Sequence, residues 1–78
     1  MIREQLSGLL RRIVDEPDQV EVEDFDTGAS TVFEVRVAQS DMGKVIGRQG
    51  RTARAIRSLL AERGSQDDAH YEFEVVDD

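Results

Sequence analysis

The sequence predicts an α+β fold of order α-β-β-α-α-β, with a three-stranded mixed sheet and its helices packed on one face. Three observations carry that reading. Apolar residues recur at helical spacing near the N-terminus, alternate at period two in three further stretches, and return to helical spacing beside a glycine turn. The 78 residues read as one small domain, 1–78, and a chain of that size buries only roughly 60% of its unfolded surface. There is no cysteine, so neither a disulfide nor a thiolate-held metal supports the core.

Ile2, Leu6, Leu9, Leu10 and Ile13 mark an amphipathic helix over residues 2–14. Gly8 weakens it by about 1 kcal/mol relative to alanine, and Asp15-Glu16-Pro17 ends it, because the residue before proline avoids helical angles. Residues 19–25 alternate, with Val20 and Val22 on one side and Glu21 and Glu23 on the other. After a turn at 26–30, residues 31–37 alternate again, with Phe33, Val35 and Val37 inward, and the two strands read as an antiparallel hairpin. Ser40 is placed to cap a short helix over 41–46, with Asp41 at its positive end. Residues 47–50 interrupt that helix. A second one is expected over 50–63, stopping at Gly64. On it Ala53, Ile56 and Leu60 share one face, and Arg51, Arg54 and Arg57 share another. Past a polar loop at 65–69, residues 70–76 place Tyr71, Phe73 and Val75 inward and Glu72 and Glu74 outward. The outer sheet face then carries Glu21, Glu23, Glu34, Glu72 and Glu74, with Arg36 as its lone cation, and repels a polyanion. No apolar stripe marks an interface.

Charge is distributed unevenly. The 17 acids and 10 bases give a net charge of −7. From Met42 to Ala61 there are five cations (Lys44, Arg48, Arg51, Arg54, Arg57) and no acid, which leaves −12 to the rest of the chain. Inside that basic segment lies Ile46-Gly47-Arg48-Gln49-Gly50. Glycine permits positive φ and lets another backbone come close. A helix that starts just beyond such a turn presents free amides and a partial positive charge. Together these form an anion cradle, and a phosphate backbone fits the charge pattern. Arg48 and Gln49 occupy the tip, with Lys44, Arg51 and Arg54 at the rim. By itself a G-x-x-G is commonly a turn between helices, and an arginine stripe is commonly a solvated face. Neither explains the missing acids.

Other chemistries find little footing. The pattern G-x-x-x-x-G-K-[ST] is absent, and Gly43, Gly47 and Gly50 are wrongly spaced for G-x-G-x-x-G. His70 is the single histidine and reads as structural or solvent-exposed, whereas a metal site needs more nitrogen ligands. No catalytic residue, metal or cofactor is assigned. Phe25, Phe33, Tyr71 and Phe73 fall on strands, the latter three in the core. None lies in the basic segment, so base stacking on aromatic side chains is not expected there. No apolar run approaches the roughly 20 residues that cross a bilayer, and no signal-peptide pattern opens the chain. The expected location is cytoplasmic, with no membrane partner.

The run Ile46-Gly47-Arg48-Gln49-Gly50, between two helices and ahead of a final strand, resembles the KH domain, and the leading helix and strand resemble its type II arrangement. Residues 41–57 closely resemble KhpA-type proteins, small bacterial single-KH RNA-binding proteins. The likeness spans essentially the whole chain in element order and is specific from about residue 41 to 60. It implies single-stranded RNA as ligand, with a stretch of backbone clamped by the loop. Gly47 and Gly50 would permit close approach, Arg48 and Gln49 would touch phosphates, and Ile46 would floor a groove for bases. Lys44, Arg51 and Arg54 would hold the strand. The resemblance also implies a homodimer, or a heterodimer with a KH/R3H-type partner, and a role in post-transcriptional or cell-envelope regulation or as an RNA chaperone. Two features oppose tight binding: Asp67 and Asp68 in the loop that borders the family's groove, and the net charge. The expected affinity is on the order of micromolar or weaker. The alternative is a protein–protein interaction module whose cations meet an acidic partner. A nucleotide-processing enzyme is a third class, without a visible metal site or acid–base pair.

Overall fold

The computed structural model describes residues 2–77. The chain runs α1(Ile2–Ile13), β1(Glu21–Asp26), β2(Thr31–Arg36), α2(Met42–Ile46), α3(Arg51–Asp67) and β3(Tyr71–Val75), with 3-10 turns at Pro17–Gln19, Gln39–Asp41 and Arg48–Gly50. The expected order and the mixed sheet are both found. β2 is central, antiparallel to β1 and parallel to β3, and α2 and α3 form the crossover that a parallel pair requires.

The strand register sorts the residues by face. Val22, Val35 and Val75 align across the sheet on the inner side, as do Phe33 and Phe73, whereas Glu23, Glu34 and Glu74 align on the outer side. Leu6 and Leu10 of α1, Val45 of α2, and Ile56 and Leu60 of α3 cover the inner side and form one core with Phe33, Val35 and Phe73. Burying each such side chain stabilises by roughly 1.5–3 kcal/mol. On the outer side Arg36 reaches Glu34 at 3.3 Å and Glu23 at 3.8 Å.

Several expectations need correction. Residues 17–19 form a helical turn, so β1 starts later than expected, although Val20 is still buried. Phe25, which the sequence leaves out of the core, is indeed outside it, opposite Val32 and 46% exposed. Tyr71 points inward as expected: half-buried, it packs against the core, meets Phe33 edge-on at 5.8 Å and donates its hydroxyl to Asp67, a bond that raises the phenol pKa. Ser40 is exposed, and no side chain caps the turn or the helix that follows it. α3 runs through Gly64 to Asp67, where the Arg63–Asp67 pair at 3.1 Å helps close its last turn. Gly64 serves a close approach instead. The Ala69 carbonyl oxygen would lie 2.6 Å from a Cβ there, and the Ala69 amide bonds the Gly64 carbonyl. Asp67 is therefore helical and paired, not a loop charge beside a groove.

Asp41 is 1% exposed. It accepts the backbone N–H groups of Asp15 and Glu16 at 3.1 and 3.0 Å, which ties the exit of α1 to the start of α2. Removing that acceptor strands two amides and leaves a gap. Asp41→Ala is expected to cost about 2–4 kcal/mol and to lower the melting temperature by at least roughly 10 °C. Thermal unfolding followed by circular dichroism checks this; an unchanged midpoint removes the tether from the account.

Candidate nucleic-acid interface

α2 ends because Gly47 leaves helical space, at φ 81° and ψ 166°, a region that is essentially glycine's alone. Its amide still closes α2 on the Gly43 carbonyl at 2.8 Å, and its own carbonyl accepts the Gly50 N–H at 3.0 Å. Gln49 (φ 56°, ψ 25°) and Gly50 (φ 74°, ψ 16°) are left-handed, and α3 begins immediately after them. Space makes a second demand at Gly47: a Cβ there would lie 2.4 Å from Thr52 Oγ1 and 2.7 Å from Thr52 N. At Gly50 the nearest atom to a Cβ is Arg54 Nη1, at 3.9 Å. The bend leaves the Arg48 and Gln49 side chains exposed at the tip. Gln49 holds positive φ without being glycine, and such strain, of order 1 kcal/mol, clusters at ligand-binding turns.

The cations around the bend are not equivalent. Arg48, Arg51 and Arg54 are exposed, and none forms an ion pair among the described residues. Lys44 differs. Its ammonium is bonded to Asp15, which raises its pKa, with the nearby charge of Asp41 adding to the effect. It is drawn toward the exit of α1. Exposed pairs of this kind are weakly held and yield to a competing anion.

Ile46 is 41% exposed. It opens onto a groove that continues past Gly50, Ala53 and Arg54 to Arg57, Glu74 and Val75. Sequence reasoning placed Ile46, Gly50 and Arg54 at the site but missed the far end. The Arg57 guanidinium lies over the Phe73 ring at 5.3 Å, so it sits on the β3 side. Its three-residue spacing from Arg54 was the available signal. Glu74 read simply as part of the acidic sheet face. β3 is an edge strand, and its Glu74 also lines the groove. His70 is exposed, and no metal-holding group of three or more His, Cys, Asp or Glu side chains exists among the described residues.

The two glycines should respond differently to substitution. Gly47→Ala is expected to destabilise by about 2–3 kcal/mol, since it combines a forbidden backbone region with a steric clash. Gly50→Asn keeps a left-handed geometry that asparagine tolerates and should cost less than about 1 kcal/mol. Chemical denaturation ranks them; the reverse order contradicts this loop geometry.

Comparison with known proteins agrees with this geometry. The family model described as KhpA/KhpB, KH domain, matches residues 3–75. The chain is 47% identical over 66 residues to the RNA-binding protein KhpA of Streptomyces coelicolor, covering 85% of this chain and 84% of the relative. It is 39% identical over 74 residues to the RNA-binding protein KhpA of Borreliella burgdorferi, covering 95% and 90%. The KhpA of Listeria monocytogenes is 34% identical over 76 residues, covering 97% and 100%. With its type II order, mixed sheet and glycine bend, the chain belongs to the KhpA/KhpB KH-domain family.

Proposed function

We propose that this protein binds single-stranded RNA without catalysis, in the cytoplasm, as a post-transcriptional regulator or RNA chaperone. The observation that carries the reading is a glycine bend at the head of α3, its tip exposed, ringed by arginines that have no acidic partner among the described residues. The printed names of its relatives, RNA-binding proteins, support the ligand. In this reading Gly47 and Gly50 admit the sugar–phosphate chain, while Arg48 and Gln49 touch phosphates. Arg51 and Arg54 hold the strand, and Lys44 joins once it leaves Asp15. Ile46 floors the groove into which bases turn.

A second observation favours pairing. Leu59 is 60% exposed, and with Ile2, Leu6, Leu9 and Ile56 it lines an open apolar groove between α1 and α3. Exposed apolar surface of this kind marks docking sites. We assign it to a second copy or to a KH/R3H-type partner, either of which would present two cradles to one RNA and raise avidity. Leu59 was missed in sequence because its neighbour Leu60 takes the core position.

Arg48→Asp combined with Gln49→Asp is expected to weaken oligoribonucleotide binding at least about tenfold while leaving the melting temperature unchanged. Fluorescence anisotropy against salt should give a log–log slope of roughly −2 to −3, for three or four phosphates at about −0.7 each. A flat salt response sinks the RNA reading. Leu59→Asp should convert a dimer to a monomer in sedimentation velocity; a wild-type protein that is already monomeric at high concentration removes the pairing.

A further inference from the structure

β3 borders the groove that runs from the glycine bend, but the sheet has a second edge, at β1. Its backbone is open there. In β2 the Thr31 N–H bonds the His70 carbonyl, and the Val35 carbonyl accepts the Val76 N–H, so residues 31, 33 and 35 turn their backbone groups toward β3. Backbone groups alternate in direction along a strand, so Val32, Glu34 and Arg36 turn theirs toward Phe25, Glu23 and Glu21 of β1. Val22 and Asp24 are left with N–H and C=O groups that point off the sheet. At one end of this opening the Val20 N–H is closed on the Pro17 carbonyl at 3.2 Å, and at the other the Arg3–Asp24 pair crosses at 3.1 Å. A groove follows the edge. Val20, Glu21, Val22 and Glu23 line it, four successive residues from both faces of the sheet, which is how the open side of a strand lines a groove. Arg3, Ser7 and Arg11, spaced every four residues along α1, form the opposite wall together with Glu4.

An open strand edge is a template for another strand, and side-chain alternation decides which strand fits. A residue opposite Val22 would lie on the inner side, beside Val20 and Val22. Its two neighbours would lie on the outer side, against Glu21 and Glu23. Glu21 forms no ion pair among the described residues, and Glu23 has only the long contact to Arg36 at 3.8 Å. A second copy adding through the same edge would set Glu21 against Glu23, and like charges directly opposite destabilise a strand pair. The segment that satisfies all three positions carries an apolar residue between two cations. We propose that the groove between α1 and β1 docks an extended segment of another protein with this cation–apolar–cation order, added to the sheet as a further strand beside β1. The backbone groups of Val22 and Asp24 hold its main chain, and Glu21 and Glu23 select its charge. This docking is separate from the glycine bend, whose groove borders β3 at the other edge of the sheet.

The test titrates the whole isotope-labelled protein, followed by nuclear magnetic resonance, with the blocked peptide acetyl-Thr-Lys-Val-Lys-Thr-amide and with its counterpart carrying glutamate at both lysine positions. The lysine peptide should bind at least about tenfold tighter than the glutamate peptide and slow the exchange of the Val22 and Asp24 amide protons. Alternate amides of an added strand face the edge, so N-methylation at the valine or at the two lysines, but not at both places alike, should weaken binding at least about tenfold. Glu21→Lys combined with Glu23→Lys should turn the preference toward the glutamate peptide without changing the circular dichroism spectrum. Three outcomes overturn the proposal. Neither peptide binds; methylation acts equally at both places, which is charge adhesion without a strand; or the Val22 and Asp24 amides are already protected without peptide in a concentration-dependent way, which gives the edge to a second copy.

Discussion

The contact between Gly47 and Thr52 governs the working half of this molecule. Two helices meet at a bend so tight that the first residue of the turn has no room for a side chain. That residue also adopts angles that side-chain-bearing residues avoid. These restrictions fix where α2 stops and where α3 starts. The start of α3 in turn places Arg51 and Arg54 outside, with Ala53 and Ile56 inside. A side chain at position 47 would collide with Thr52, the second residue of α3, and force the bend to open.

Around that bend the acids are absent, while the outer side of the sheet carries a row of them, Glu23, Glu34 and Glu74, which Arg36 partly compensates through Glu23 and Glu34. Around the bend, Arg48, Arg51 and Arg54 have no acidic partner among the described residues, whereas Arg3 and Arg63 elsewhere on the helices are paired. Such separation costs stability through repulsion within each layer, and it gives a net-acidic chain one direction from which a polyanion can approach. Lys44 sits on the boundary. Its bond to Asp15 ties it to the exit of α1.

Much of this was legible in the residues. The alternation of Val20 to Glu23, Thr31 to Val37 and Tyr71 to Val75 located the strands, since a half-buried sheet imposes period two. The spacing of Ile2, Leu6, Leu10 and Ile13 located α1. The glycine pair located the bend. Local rules failed where tertiary contact outweighed them. Gly64 carried a helix-stop signal, but the returning chain at Ala69 needed a residue without a side chain against the helix. Ser40 carried a cap signal, whereas Asp41 beside it was drawn to amides of residues 15 and 16.

The sequence by itself determined the order of elements, the glycine bend and the segregation of charge, because periodicity, backbone freedom and net charge are properties of neighbouring residues. Only the tertiary structure decided which cations are free, which strand lies at the sheet edge, and what the groove contains. Those outcomes depend on distances such as those between Lys44 and Asp15 and between Arg57 and Phe73. Such distances are set by how the helices settle on the sheet, and spacing along the chain does not encode them.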